Sequence, residues 1–139
     1  MKYKNFSDVI VVRLDINDEI LESIKAVCAA ENVRAGYITA IGALKSAVMG
    51  VYNVSTGEYS KHEFNEFTEL TSLVGNVSYM NDEPYIHLHA TLGKSDGSVV
   101  GGHMNSGVIG ATCEIFIHRL EGTIPRVFNP ESGLNVFDL

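Results

Sequence analysis

Three of the five histidines fall within the nineteen residues from Tyr85 to His103. They make the pattern His87-Leu88-His89, a turn at Ser95-Asp96-Gly97-Ser98, then Gly101-Gly102-His103. Alternate residues of a strand point to one face, so His87 and His89 project together, about 7 Å apart along the chain. Two imidazoles at that spacing can share one metal ion, and neutral imidazole is a standard zinc ligand. If Asp96-Gly97 forms a two-residue hairpin turn, His103 faces Ala90 and points away from the other two. One extra residue in the ladder, which Gly101-Gly102 can supply as a bulge, turns His103 back beside His89. His-x-His alone fits ordinary hydrogen-bonded histidines; it is the third histidine that favours a metal site. Three protein ligands leave one position for water or substrate, as in catalytic rather than structural zinc.

The remaining candidates have less company. Glu114 interrupts the apolar run Ala111-Thr-Cys-Glu-Ile-Phe-Ile117. It reads as a residue on a solvated or subunit face, since Glu is rarely fully buried, or as an acid–base partner of a ligand histidine. Arg34 could meet an anion or Glu31. His62 and His118 read as surface or hydrogen-bonded structural residues. Gly101-Gly102 matches neither GxGxxG nor GK[ST], which argues against a nucleotide site.

These side chains must be carried by a sheet. Residues 8–15 read as a first strand. Asn17 suits a helix cap, with Asp18 and Glu19 in the first turn, and Ile20, Leu21, Ile24, Val27 and Cys28 share one helical face. The helix should end near Asn32, which tolerates a left-handed terminus. Strands are expected at Gly36–Gly42, Ala47–Val54, Glu58–Phe67 and Leu70–Met80. A turn follows at Asn81-Asp82-Glu83-Pro84, then the histidine hairpin. A loop at Asn105-Ser106-Gly107 precedes a final strand from Val108 to Leu120. There Thr112, Glu114, Phe116 and His118 face one way and Cys113, Ile115 and Ile117 the other. The tail reads as extended chain, with Leu134 to Phe137 as an edge strand. Strand, helix, then many strands with short turns is an α+β pattern with a largely antiparallel sheet. The expected organisation is one compact domain over 1–139, its core at about 7–120 and a tail at 121–139.

Composition narrows the partners. The 139 residues are 45% apolar and 19% charged, with net charge −7. The ten basic residues are scattered, so the stripe of Lys and Arg that drives nucleic-acid affinity is missing. Cys28 and Cys113 lie far apart without CxxC spacing and read as buried thiols in a reducing compartment. No apolar signal-peptide core follows the N-terminus, and no run approaches a membrane span. A cytoplasmic protein is the expectation.

The hairpin block, His87-Leu88-His89-Ala90-Thr91-Leu92-Gly93, Asp96-Gly97 and Val99-Val100-Gly101-Gly102-His103, resembles the signature of the PPC family (the plant and prokaryote conserved domain). Leu21 to Ile24, Arg34 to Ile38, Ile41 to Leu44, Phe67 to Leu70, Gly75 to Val77 and Ala111 to Glu114 resemble further blocks in the same order. The resemblance implies a strongly curved antiparallel sheet and a homotrimer. It also implies that His87, His89 and His103 bind metal. Fold and histidine trio are distantly similar to acetolactate decarboxylase, a zinc enzyme. In plants the domain accompanies AT-hook DNA-binding segments, but no Arg-Gly-Arg-Pro core occurs here. Two functions follow as expectations. One is a trimeric metal protein, with zinc polarising an oxygen of a small acid or activating water. The other is a regulatory module that trimerises and binds DNA or another protein without catalysis.

Overall fold

The computed structural model describes all residues from Met1 to Leu139. The strands are β1 (Lys2–Phe6), β2 (Val9–Leu14), β3 (Gly36–Asn53), β4 (Glu58–Phe64), β5 (Thr68–Met80), β6 (Glu83–Gly93), β7 (Val99–Arg119), β8 (Arg126–Asn129) and β9 (Leu134–Phe137), with one helix, α1 (Ile20–Ala30). Seven strands form one antiparallel sheet in the order β1-β2-β7-β6-β5-β3-β4. An extra pairing of β7 with β3 closes β3, β5, β6 and β7 into a ring. This is the expected α+β architecture, curved until its central strands meet.

Two strands are longer than the sequence predicts. Residues 43–46 do not interrupt β3, and 105–107 do not interrupt β7; both strands run through. The lost alternation marks bulges instead. Register shifts fall between Gly42 and Leu44, between Leu44 and Ser46, and between Val48 and Met49, and the last leaves Asn105 unpaired against β3. A bulge breaks a period-two pattern as a loop does, while the strand bends and continues. β1, also unpredicted, is fully exposed and covers the edge of β2.

The helix begins two residues later than Asn17 would have it. Glu19 is the cap, accepting from the Glu22 N–H at 2.8 Å. Its other oxygen accepts from the Gly107 N–H at 2.8 Å, which ties the helix start to β7. Asn17 instead adopts positive φ and accepts from Lys45. The helix ends as its sequence suggests, with Asn32 left-handed at φ 52°. Ile20, Ile24, Val27 and Cys28 are buried against the sheet. They join Leu88, Ala90 and Leu92 of β6 and Met104, Ile109, Cys113, Ile115 and Ile117 of β7 in one core. Both thiols are buried and free. No helix is long and apolar enough to cross a membrane.

β8 and β9 pair with each other rather than extending the main sheet. Asn129-Pro130-Glu131-Ser132-Gly133 is the turn between them. The Asn129 side chain accepts from the Glu131 and Ser132 N–H groups, and Gly133 takes φ 69°. Backbone bonds of Ile124 to Arg34 and Tyr79, and of Asp138 to Pro125, anchor this hairpin.

Candidate metal centre

The connection between β6 and β7 decides where His103 points. Lys94 N–H donates to the Ser98 carbonyl at 2.9 Å, so only Ser95, Asp96 and Gly97 form the loop. Gly97 N–H returns to the Lys94 carbonyl at 3.0 Å with Gly97 at φ 83°. The Asp96 carboxylate accepts from the N–H and the hydroxyl of Ser98. A three-residue loop ending in a left-handed glycine is a common hairpin solution. It moves every facing pair by one residue from the two-residue-turn expectation. Gly93 then faces Val99, Ala90 faces Gly102 and His89 faces His103, without a break in register. No bulge at Gly101-Gly102 is needed, which corrects the sequence expectation. Gly102 serves a different purpose, because a Cβ there would lie 2.8 Å from the Gly50 carbonyl oxygen. At this point β7 changes neighbours, and His103 pairs with His89 on one side and Gly50 on the other.

His87, His89 and His103 therefore share one face, opposite the one that buries Leu88 and Met104. Their ring centroids are 5.1 Å apart for His87–His89, 5.0 Å for His87–His103 and 5.5 Å for His89–His103. One ring nitrogen from each lies within 4.8 Å of the others. Zinc bound at about 2.0–2.1 Å in tetrahedral geometry needs nitrogens roughly 3.4 Å apart. Small ring rotations span that difference, so the residues fit such an ion. The donor set is three imidazoles with no thiol or carboxylate. Protonation favours it too. Burial, then the neighbouring His103, His89 and Arg126, push His87 down to about 4. Burial, then His89, lowers His103. Both are neutral at neutral pH, the form a metal requires.

Two walls flank the cluster. Tyr59 stands edge-on to His103 at 6.4 Å and donates to Asn105 at 2.6 Å. On the other side lies Arg126, which sequence reasoning missed by treating the tail as extended chain. Its guanidinium sits 4.5 Å from the Tyr85 ring centroid and 4.6 Å from that of Phe137. Nε donates to Ser78 Oγ at 2.7 Å, Nη1 to the Asn135 carbonyl at 2.6 Å and Nη2 to Asn76 Oδ1 at 2.9 Å. Asn76 faces His87 and Ser78 faces Tyr85 across the ladder, so Arg126 lies on the histidine face. The available signal was two short alternating runs flanking a Pro- and Gly-containing turn, a hairpin pattern.

The other candidates go elsewhere. Glu114 pairs with Arg13 and Ile41, eleven residues along β7 from His103, exposed and outside the histidine cluster. His118 stacks on Tyr37 at 4.3 Å, and His62 is exposed on β4. Arg34 lies over the Tyr79 ring at 4.3 Å and donates to Asn32 rather than to Glu31.

The pattern of the Plants and Prokaryotes Conserved (PCC) domain matches residues 1–121. A candidate DNA-binding protein from Bacteroides thetaiotaomicron is 33% identical, with a TM-score of 0.95 over 99% of this chain and 96% of its own. A metal-containing protein from Archaeoglobus fulgidus is 36% identical, with a TM-score of 0.90 over the whole of both chains. The Bacillus subtilis acetolactate decarboxylase shares the fold at 14% identity, with a TM-score of 0.57 over 88% of this chain and 57% of its own. Among curated proteins none matches the chain by sequence.

Proposed function

The chain belongs to the Plants and Prokaryotes Conserved domain family, and from that premise we propose that it is a metal protein whose zinc is held by His87, His89 and His103. The observation that carries this reading is the convergence of three imidazoles on one face, with no fourth His, Cys or carboxylate donor in the cluster. The metal content of the Archaeoglobus relative supports it. Zinc so bound supplies Lewis acidity to an oxygen of a small acid or to a water. The chain's own residues fix the three imidazoles, through the β6–β7 register, and flank them with Tyr59 and Arg126. Glu114, away from the cluster within one chain, has no assigned part.

We further read the protein as a homotrimer in a reducing cytoplasm. Ile41, Val74 and Phe116 are 58%, 52% and 44% exposed on a continuous sheet face, where Val74 pairs with His89 and Thr39 pairs with both Val74 and Phe116. An exposed apolar face of this kind marks an interface. It begins one strand from the histidines, so a neighbouring subunit would reach the rim of the site.

The test is metal analysis of protein purified without a histidine tag. One zinc per chain is expected, lost in His89→Ala with the fold retained; wild-type protein unable to take up zinc would end the metal reading. The regulatory alternative draws on the description of the Bacteroides relative and is opposed by the net charge of −7. Binding to A·T-rich duplex with a steep salt slope would favour it, and no binding at low salt would remove it.

A further inference from the structure

Arg126 has no carboxylate partner. No ion pair includes it, and its three hydrogen bonds go to a hydroxyl, an amide oxygen and a backbone carbonyl, all neutral. A guanidinium carries five N–H donors, so two remain without a protein acceptor. Burial lowers its pKa but leaves it charged. A half-buried arginine without a counter-ion pays a desolvation cost that an incoming anion would offset.

Its placement shows where that anion would sit. Arg126 is held by Asn76, the ladder partner of His87, and lies over Tyr85, the next residue on the same face. Three neutral imidazoles around a divalent ion leave its charge uncompensated, and Arg126 adds another positive charge beside it. No acidic residue joins the cluster. The hairpin that carries Arg126 lies beyond the matched residues 1–121.

We infer that Arg126 is the anchor that selects a carboxylate on the small molecule bound at the three-histidine site, and so determines specificity for short carboxylic acids. The inference rests on the metal-site reading above. A planar guanidinium matches a carboxylate fork better than any other side chain. The aromatic rings of Tyr85 and Phe137 and the bonds to Ser78 and Asn135 hold its plane in place, so little order would be lost on binding.

The matched probes are lactate and lactamide, alike in shape and differing in charge. Cobalt(II)-substituted protein reports binding through its visible spectrum, and zinc stoichiometry is measured separately. Wild-type protein should bind lactate at least about tenfold more tightly than lactamide, the scale of one charge-assisted hydrogen-bonded pair. Arg126→Gln should abolish that preference by weakening lactate alone, with one metal per chain retained. Arg126→Lys, which keeps the charge but not the fork, should restore part of it. Equal binding of the two probes by metal-loaded wild-type protein would overturn the inference, as would an undiminished lactate preference in Arg126→Gln. Wild-type protein that takes up no metal fails at the first step and takes the metal reading with it. The lactate-to-lactamide ratio in wild-type protein keeps the inference testable even if Arg126→Gln loosens the hairpin.

Discussion

Replacing Gly102 by alanine separates two reasons for the Gly101-Gly102 pair. The new Cβ would lie 2.8 Å from the Gly50 carbonyl oxygen, against 3.4–4 Å for ordinary contact. Gly50 cannot yield cheaply: it is backbone in β3, paired with Lys61 on one side and His103 on the other. Forcing such a contact costs about 1–3 kcal/mol. Reduced freedom of the unfolded chain returns about 0.4–1 kcal/mol, leaving a net loss of about 1–2 kcal/mol. At Gly101 the nearest atom is the Ala90 oxygen at 3.1 Å, with the next at 3.7 Å. Strain and entropy should there nearly cancel, within about 0.5 kcal/mol. Gly102 also precedes His103, so pushing β7 off β3 displaces a ligand. Losses at residues that position a ligand typically run at about 10–100-fold in metal affinity. The assay is urea unfolding of the zinc-free variants, with zinc affinity measured by chelator competition. The expected order is Gly102→Ala well below wild type and Gly101→Ala close to it. Equal damage at both positions would restore the bulge explanation, and a harmless Gly102→Ala would refute the close-approach argument.

Two further outcomes follow from burial and exposure. Burial pushes both the Cys28 and Cys113 thiols up to about 12. A raised pKa means the folded state keeps a proton that the unfolded chain sheds near pH 9, so this stability is intact below about pH 9 and lost as pH rises toward 12. At about 1.36 kcal/mol per unit the loss approaches about 4 kcal/mol per thiol; urea midpoints at pH 8, 10 and 11 should fall less steeply in Cys28→Ala. Ile41→Lys places a charge on the exposed apolar face and should turn the proposed trimer into monomers by analytical ultracentrifugation with the helix and sheet signals unchanged; a variant that still sediments as a trimer would move the interface elsewhere.

The helix face, the mixed class and the pairing of His87 with His89 were legible because period and parity are local properties of the sequence. What escaped depends on single-residue offsets. The choice between a two- and a three-residue loop at Ser95-Asp96-Gly97 moves His103 from one face to the other, and the letters Asp-Gly suit both. The breaks at 43–46 and 105–107 looked like strand ends because a bulge and a loop erase the same alternation. Arg126 was invisible for another reason. Its role comes from the tail folding back over β5 and β6, a contact between residues about fifty positions apart that no local pattern encodes. Glu114 stood out for the opposite reason, since a charge within an apolar strand draws attention whether or not its neighbours are chemical.

The central claim is that one ion is held by three imidazoles with its fourth position open, and X-ray absorption at the zinc edge of loaded, untagged protein tests it most directly. The account predicts three imidazole nitrogens and one further oxygen ligand, all at about 2.0–2.1 Å. A sulfur shell at about 2.3 Å, or a spectrum with fewer than three imidazoles, would contradict it.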